Sequence, residues 1–296
     1  MSQPHYPYYV VSKKRADTRL TVRALEFMKV PHYVVIEESD YADYAAVMDP
    51  KKLLILDQQY KLDYELCDDL GQTRSTGPGP ARNFAWDHAI SNGFAWHWVS
   101  DDNIRNFLRL NNNLKIKVCD GTIFRCMEEF VERYENVAMA GPNYRSFAPQ
   151  NSNIPPFVTN TRIYSCNLIR NDVPFRWRGR YNEDTILSLD MLKAKWCTVQ
   201  FNAFLQDKLR TQVIGGGNTA EFYSHEGTAP KSRMLKEVHP DVTDLVWRFG
   251  REHHYVDYTR YKDMRLKRRP GLVMPTGDDD HGMKMRTIPP DYPGRV

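Results

Sequence analysis

The sequence predicts an α/β protein with a mostly parallel central sheet flanked by helices. Three observations lead there. Short β-type runs, Tyr8 to Val11, His32 to Ile36 and Leu53 to Leu56, alternate with a helically spaced stretch. Strand, helix, strand at this spacing implies a right-handed crossover and parallel pairing. A Gly/Pro turn, Gly77-Pro78-Gly79-Pro80, then feeds a second helix. That helix leads into the apolar run Phe94 to Ser100, which stops abruptly at Asp101 and Asp102. A buried strand that delivers carboxylates to its C-terminal end puts them where α/β enzymes hold ligands and hard divalent cations.

Taken in order, Thr18 to Val30 is the first helix, with Leu20, Val22, Leu25 and Met28 facing a core. Glu37 and Glu38 close the second strand, and Ala81 to Asn92 is the next helix. Ile104 to Leu110 has helical spacing, in which case Asp101 and Asp102 also serve as caps. Phe124 to Tyr134 reads as helix and Val137 to Ala140 as strand. Asn143 to Thr159 is rich in Asn, Pro and Ser and reads as a loop, whereas Arg162 to Ile169 alternates as a strand. Glu183 to Lys193 is a strong helix, with Ile186, Leu187, Leu189, Met191 and Leu192 available for packing. Trp196 to Phe201 is β-like and Gly215 to Asn218 must be a loop. From Pro270 onward Pro, Gly and charge dominate, which predicts a poorly packed tail.

Bulk properties narrow the function classes. A chain of 296 residues with 41% hydrophobic content can bury a full core. It lacks an apolar run of about 18 residues and shows no basic-then-apolar leader over Met1 to Val11, so neither a membrane span nor a secretory signal is expected. The cysteines Cys67, Cys119, Cys126, Cys166 and Cys197 are scattered and form no CxxC pair. They read as free thiols in a reducing compartment, the cytoplasm. The net charge of +4 is mild, but Arg260, Lys262, Arg265, Lys267, Arg268 and Arg269 crowd together in a density that suits phosphate backbones. No HExxH, GxSxG or P-loop lysine motif is present, which argues against a zinc protease, an α/β-hydrolase and a P-loop kinase.

Several residues are placed for chemistry on phosphates. Ser12, Lys13, Lys14 and Arg15 follow the first strand, where cations clamp phosphates or stack on a base. Glu37 stands where an acid takes a ribose hydroxyl or a base donor. Arg82, at the start of the helix after the Gly/Pro turn, is placed to bind phosphate bidentately or to brace the acids. Glu183 and Asp184 open the long helix, where a carboxylate is stabilised by the helix dipole and can also act as a general base. His253 and His254 offer imidazoles for a metal.

With those residues in view, the chain resembles glycosyltransferases of the GT-A type. Ser100-Asp101-Asp102 stands where they carry a DxD metal motif, with Ser replacing the first acid, and Asn182-Glu183-Asp184 looks like their acceptor-side motif. More narrowly, the chain resembles the TET-associated glycosyltransferases encoded by bacteriophages. The carrying segments are Trp98 to Asn103, Tyr181 to Leu187, Gly215 to Asn218 and Arg248 to Asp257, and the similarity runs from about Tyr8 to Tyr258. The resemblance implies one GT-A-like catalytic domain over 1–258, with a nucleotide-sugar half over about 1–103 and an acceptor half with a smaller sheet over about 104–258. A basic extension and tail, 259–296, follows.

It implies transfer of a sugar from a nucleotide-sugar, a UDP-sugar in the first instance, onto the hydroxymethyl group of 5-hydroxymethylcytosine in DNA. The divalent ion, Mn²⁺ or Mg²⁺, would sit on Asp102 and His254, His254 being favoured over His253. Ser12, Lys13, Arg15, Glu37, Arg82, Asp101, Gly216, Gly217 and Asn218 would bind the donor, and Glu183 or Asp184 would be the base. In-line attack gives inversion, with retention left open. Arg260 to Arg269 together with Trp177 and Tyr181 would serve the DNA backbone and an unstacked base. DNA and the nucleotide-sugar are the expected partners, with no membrane, no obligate protein partner and a host-cytoplasmic location if the chain is phage-encoded. The competing readings are a nucleotidyltransferase that makes a nucleotide-sugar and a non-catalytic DNA-binding relative.

Overall fold

The computed structural model describes residues 3–68, 75–150, 154–209, 229–248, 250–273 and 282–291. Its first strands are β1 (Tyr8–Val11), β2 (Tyr33–Ile36), β3 (Leu53–Ile55) and β4 (Trp96–Asp101). Helices α1 (Leu20–Phe27), α2 (Tyr41–Ala45), α3 (Gln59–Leu62) and α4 (Gly79–Ser91) connect them. All pairings among these strands are parallel, and β1 lies between β2 and β4. The order 3-2-1-4 makes the gap between β1 and β4 a switch point, where connections leave in opposite directions and a crevice opens beyond the strand ends.

Beyond β4 the sheet becomes mixed. There follow β5 (Ile104–Leu110), β6 (Lys115–Lys117), α5 (Thr122–Val131), β7 (Val137–Tyr144), β8 (Phe157–Thr159), β9 (Cys166–Arg170), α6 (Glu183–Lys193) and β10 (Cys197–Lys208). The sheet continues from β4 through β9, β7, β10 and β5 to β6, with β8 also on β10. Only β7 with β10 is parallel among these; the remaining pairs are antiparallel. The expectation of a mostly parallel sheet therefore holds for its first half. The smaller second sheet is the hairpin β11 (Thr243–Arg248) and β12 (Arg251–Val256), preceded by α7 (Ala229–Val238).

The sheet buries both faces. On one, Tyr8, Val10 and Trp98 pack with Val22 and Leu25 of α1 and Phe124, Met127 and Phe130 of α5. On the other, Tyr9, Val35 and Val99 pack with Ala85, Trp86 and Ala89 of α4 and Leu187 and Met191 of α6. Near-continuous apolar strands are what such a two-sided sheet requires. The opposite side of α6, Ile186, Leu189 and Leu192, joins Leu235 of α7 with Val242 and Val256 of the hairpin. Among the described residues no helix is long and apolar enough to cross a membrane.

Three expectations are corrected. Ile104 to Leu110 is a strand, not a helix. Ile104, Phe107 and Leu108 suit a helical period whereas Ile104, Leu108 and Leu110 suit a strand; antiparallel pairing with β10 decides, and all four are buried. Part of the supposed loop from Asn143 to Thr159 is strand, in β7 and β8. The supposed tail docks in part, over 283–288: Met283 is buried in the first core, Arg109 donates to the Lys284 carbonyl (2.8 Å), and Asn112 and Asn113 bond the backbone of Arg286 and Ile288, while 289–291 are exposed.

Gly141 lets β7 approach β9 closely. A Cβ there would lie 2.2 Å from the Cys166 carbonyl oxygen and 2.7 Å from Ile163 Cγ2. Gly141→Ala is expected to destabilise the fold by about 1–3 kcal/mol, the cost of overpacking, read as a lower midpoint in urea unfolding.

Candidate active site

The site is assembled at the β1/β4 switch point. Val11 pairs with Asp101, so the exits of the two strands are neighbours. Ser12 Oγ donates to Asp102 Oδ2 at 2.6 Å, and Arg15 pairs with the other oxygen. The backbone is tied as well: Thr21 Oγ1 donates to the Asp101 carbonyl (2.6 Å) and Thr21 N to that of Asp102 (3.2 Å). Burial raises the Asp102 carboxyl above the usual carboxylate range, against the pull of Arg15 and the Ser12 hydroxyl.

Arg82 is the hub. It lies in the first turn of α4, after prolines that pre-set the start of the helix, and only 1% of it is exposed. Its Nη2 donates to Asp101 Oδ1 (2.6 Å) and its Nη1 to Asp184 Oδ1 (2.7 Å), with Glu183 Oε1 3.2 Å from Nη1. The guanidinium lies 4.4 Å from the ring centre of Trp177. A planar fork with several donors can serve three carboxylates at once, which an ammonium cannot do in the same geometry.

Lys208, at the end of β10, closes the other side. Its Nζ reaches Asp101 Oδ2 and Ser165 Oγ, each at 2.6 Å. Burial disfavours ionisation of Asp101, yet Lys208 and Arg82 outweigh it and hold this carboxyl well below the usual range. Asp101 thus stays charged, and its side chain is 20% exposed.

The acids of α6 differ from each other. The chain enters the helix through Asn182 in the left-handed region (φ 56°), a conformation Asn tolerates. Asp184 accepts from Arg82, from Ser165 N (3.3 Å) and from Asn167 Nδ2 (3.3 Å). Glu183 keeps the single ion pair with Arg82 and remains 14% exposed. Burial pushes the Glu183 carboxyl up to about 7; Arg82 opposes that rise and Asp184 adds to it. Asp184 is also raised, chiefly by burial.

The other expected residues are distributed around this centre. Glu37, at the exit of β2, is held by Lys61 (2.5 Å) and Lys13 (4.0 Å). Gly216, Gly217 and Asn218 lie outside the described residues. His253 and His254 line a cavity of about 200 Å³ with Arg162, Tyr164, Thr185, Arg248, Tyr255 and Val256. Burial, Lys231 and His253 push the His254 imidazole down to about 3, so it is neutral, and its buried Nδ1 has no hydrogen-bond partner among the described residues. Among the described residues no three His, Cys, Asp or Glu side chains gather as a metal-holding group. Trp177 and Tyr181 are not free to stack on a base, because Trp177 is 1% exposed beneath Arg82 and Tyr181 is buried against Met234.

Sequence reasoning missed Lys208, Ser165 and Asn167. The available signal was at Lys208, a lysine ending an apolar run, but that run was expected to stop at Phe201, whereas β10 continues through shifts of register to Lys208.

A switch point lined by acids and fixed cations is where open α/β sheets bind ligands. The chain belongs to the TET-associated glycosyltransferase family, whose model matches residues 6–217, and it is a glycosyltransferase. That match covers every residue of the cluster from Ser12 to Lys208. A comparison with curated proteins gives no match.

Arg82→Lys is expected to leave one or more buried carboxylates unpaired. Breaking a buried pair costs about 3–5 kcal/mol, so a large fall in denaturation midpoint should accompany loss of transfer. A variant as stable as the parent would show that Arg82 is not the hub.

Proposed function

We propose that this glycosyltransferase is of the GT-A type and moves a sugar from a UDP-sugar onto the hydroxymethyl group of 5-hydroxymethylcytosine in DNA, with inversion. Glu183 carries the reading. It is partly exposed, it opens the helix at the edge of the crevice, and its carboxyl is poised near 7. A general base works best when its pKa lies near the working pH, and a primary alcohol attacks poorly until its proton is taken.

The two acids of α6 then divide their work. Glu183 accepts the proton of the hydroxymethyl group as the oxygen attacks the anomeric carbon. Asp184, saturated by Arg82, Ser165 and Asn167, fixes the guanidinium that orients Glu183. Arg15 and Lys208 are the cations assigned to the charge of the departing diphosphate, since each stands at the exit of a strand of the crevice. Ser12, Lys13 and Glu37 line the donor side.

The donors present fit a hard divalent ion in kind. Mg²⁺ and Mn²⁺ are commonly held by one or two carboxylates together with substrate phosphates. Asp102, with Asp101 beside it, would hold the ion in exchange for its ion pair with Arg15, and His254, neutral and with no partner for Nδ1 among the described residues, is chemically competent as a further donor. Such an ion supplies Lewis-acid stabilisation of the leaving diphosphate. The exposed side chains of Arg265, Lys267, Arg268 and Arg269 are assigned to the DNA backbone; their main chain is pinned to residues 133–136, with Arg269 N on the Arg133 carbonyl and Glu135 N on that of Lys267, each at 2.8 Å.

The test is mass spectrometry of nucleosides from hydroxymethylated DNA after incubation with a panel of nucleotide-sugars. A hexose-mass increase on 5-hydroxymethyl-2′-deoxycytidine is expected with a UDP-sugar; unmodified DNA across the panel would overturn the acceptor. If Glu183 is the base, turnover should rise with pH along a limb near 7, and Glu183→Gln should lower kcat by about 10²–10⁴.

Stability provides an independent sign. A carboxyl raised from 4.5 to about 7 on folding favours the native state while protonated, and this contribution is lost as pH rises through about 7. Glu183→Gln should therefore raise Tm at pH 8 and leave it unchanged at pH 4. A pH-independent change in Tm would contradict the shifted carboxyl.

A further inference from the structure

The β11–β12 hairpin presents an aromatic and cationic tip that the site described so far does not use. Trp247 is 76% exposed, the most open aromatic among the exposed large hydrophobics, and Leu245 on the same strand face is 39% exposed. Arg248 and Arg251 pair across the two strands next to the turn, and both are exposed. The acids of the hairpin are already neutralised from α7: Asp244 by Lys236 (3.1 Å) and Glu252 by Arg233 (2.9 Å). The tip is left with an exposed aromatic, Trp247, on one face of the hairpin and two guanidinium groups, Arg248 and Arg251, on the other.

The hairpin is also anchored to the helix that carries Glu183. Val242 and Val256 share a buried cluster with Ile186, Leu189 and Leu192 of α6. Asn182, immediately before Glu183, donates from Nδ2 to the Lys231 carbonyl of α7 at 2.5 Å. The cavity beside the hairpin, lined by residues from Arg248 near the tip to Val256, reaches Thr185, one residue beyond Asp184. Whatever the tip holds is therefore registered against the first turn of α6.

We propose that the β11–β12 tip is a contact for an unstacked DNA strand that wraps the end of the hairpin, with Trp247 stacking on a base from one face and Arg248 and Arg251 meeting phosphates from the other. Base–aromatic stacking with flanking cations is the general chemistry of single-strand binding. A duplex enzyme that works on a base edge or an extruded base needs such a hold on the strand it opens. The inference rests on the DNA acceptor proposed above, and it assigns the grip to Trp247 in place of the buried Trp177 and Tyr181.

The test is fluorescence anisotropy of a short fluorescein-labelled DNA strand, and of its duplex, with the full chain and three variants. Trp247→Ala should weaken single-strand binding by about 5- to 150-fold, and Trp247→Phe should restore most of it. Arg248→Ala should lower the slope of log affinity against log salt by about 0.7. Parent-level affinity in all three variants would overturn the hairpin contact and leave the glycosyltransfer reading intact. Failure of the parent chain to bind either DNA form would overturn both. A shift in oligomeric state on gel filtration with Trp247→Ala, at unchanged DNA affinity, would assign the tip to contact between copies of the chain and overturn the proposal.

Discussion

Arg82 is the constraint on which the rest of the site depends. Four carboxylates, Asp101, Asp102, Glu183 and Asp184, face three cations, Arg15, Arg82 and Lys208. Bringing that many charges out of water is costly unless each finds a fixed partner. Arg82 contacts three of the four acids and so sets the distance between the end of β4 and the start of α6. Its own position is fixed by the helix start at Gly79 and Pro80 and by the indole of Trp177, whose ring supplies a favourable face for the cation. Burying Trp177 is thus part of building the site and removes it from any role in binding ligand.

The topology explains why these side chains meet. Parallel β1 and β4 send their C-terminal ends to one edge. Antiparallel β9 begins at that same edge, which brings Ser165 beside Asp101, with Asp101 N on the Ser165 carbonyl at 2.8 Å. The change from parallel to antiparallel pairing at β9 lets residues from the beginning of one strand and the ends of others share a site. The close passage of β9 at Gly141 holds that arrangement against β7.

Much of this was legible in the sequence, for physical reasons. A strand as apolar as Trp96 to Val99 that ends in two acids has few places to be other than a sheet interior opening at an edge. The order of Gly/Pro turn, Arg82, helix and acids is enough to mark the ligand edge of the sheet. Glu183 to Lys193 was readable because its apolar residues are dense and its acids sit where the helix dipole favours them. What was not legible depended on distant partners. Ile104 to Leu110 is a strand because β10 pairs with it, and nothing local decides that. Lys208 joins the site because β10 runs on past Phe201, beyond what period alone reveals. Trp177 and Tyr181 look like binding aromatics until packing closes over them. The mixed half of the sheet escaped notice because antiparallel neighbours far apart in the chain leave no crossover signature.

The excess of acid over base in the cluster bears on which carboxylate does chemistry. Asp101 receives two cations and stays ionised; Asp184 is wrapped by donors; Asp102 is locked by Ser12 and Arg15. Glu183 shares a guanidinium with two stronger claimants and is the acid left with the weakest hold on positive charge. Burial raises the carboxyls of Glu183, Asp184 and Asp102 alike, and of these Glu183 is the one with the fewest fixed partners. A carboxyl in that position, half-committed to a cation and open to the crevice edge, is what the proposed base for an alcohol would require. The same charge count that makes the cluster costly to fold thus singles out Glu183 as the acid best suited to the proposed role.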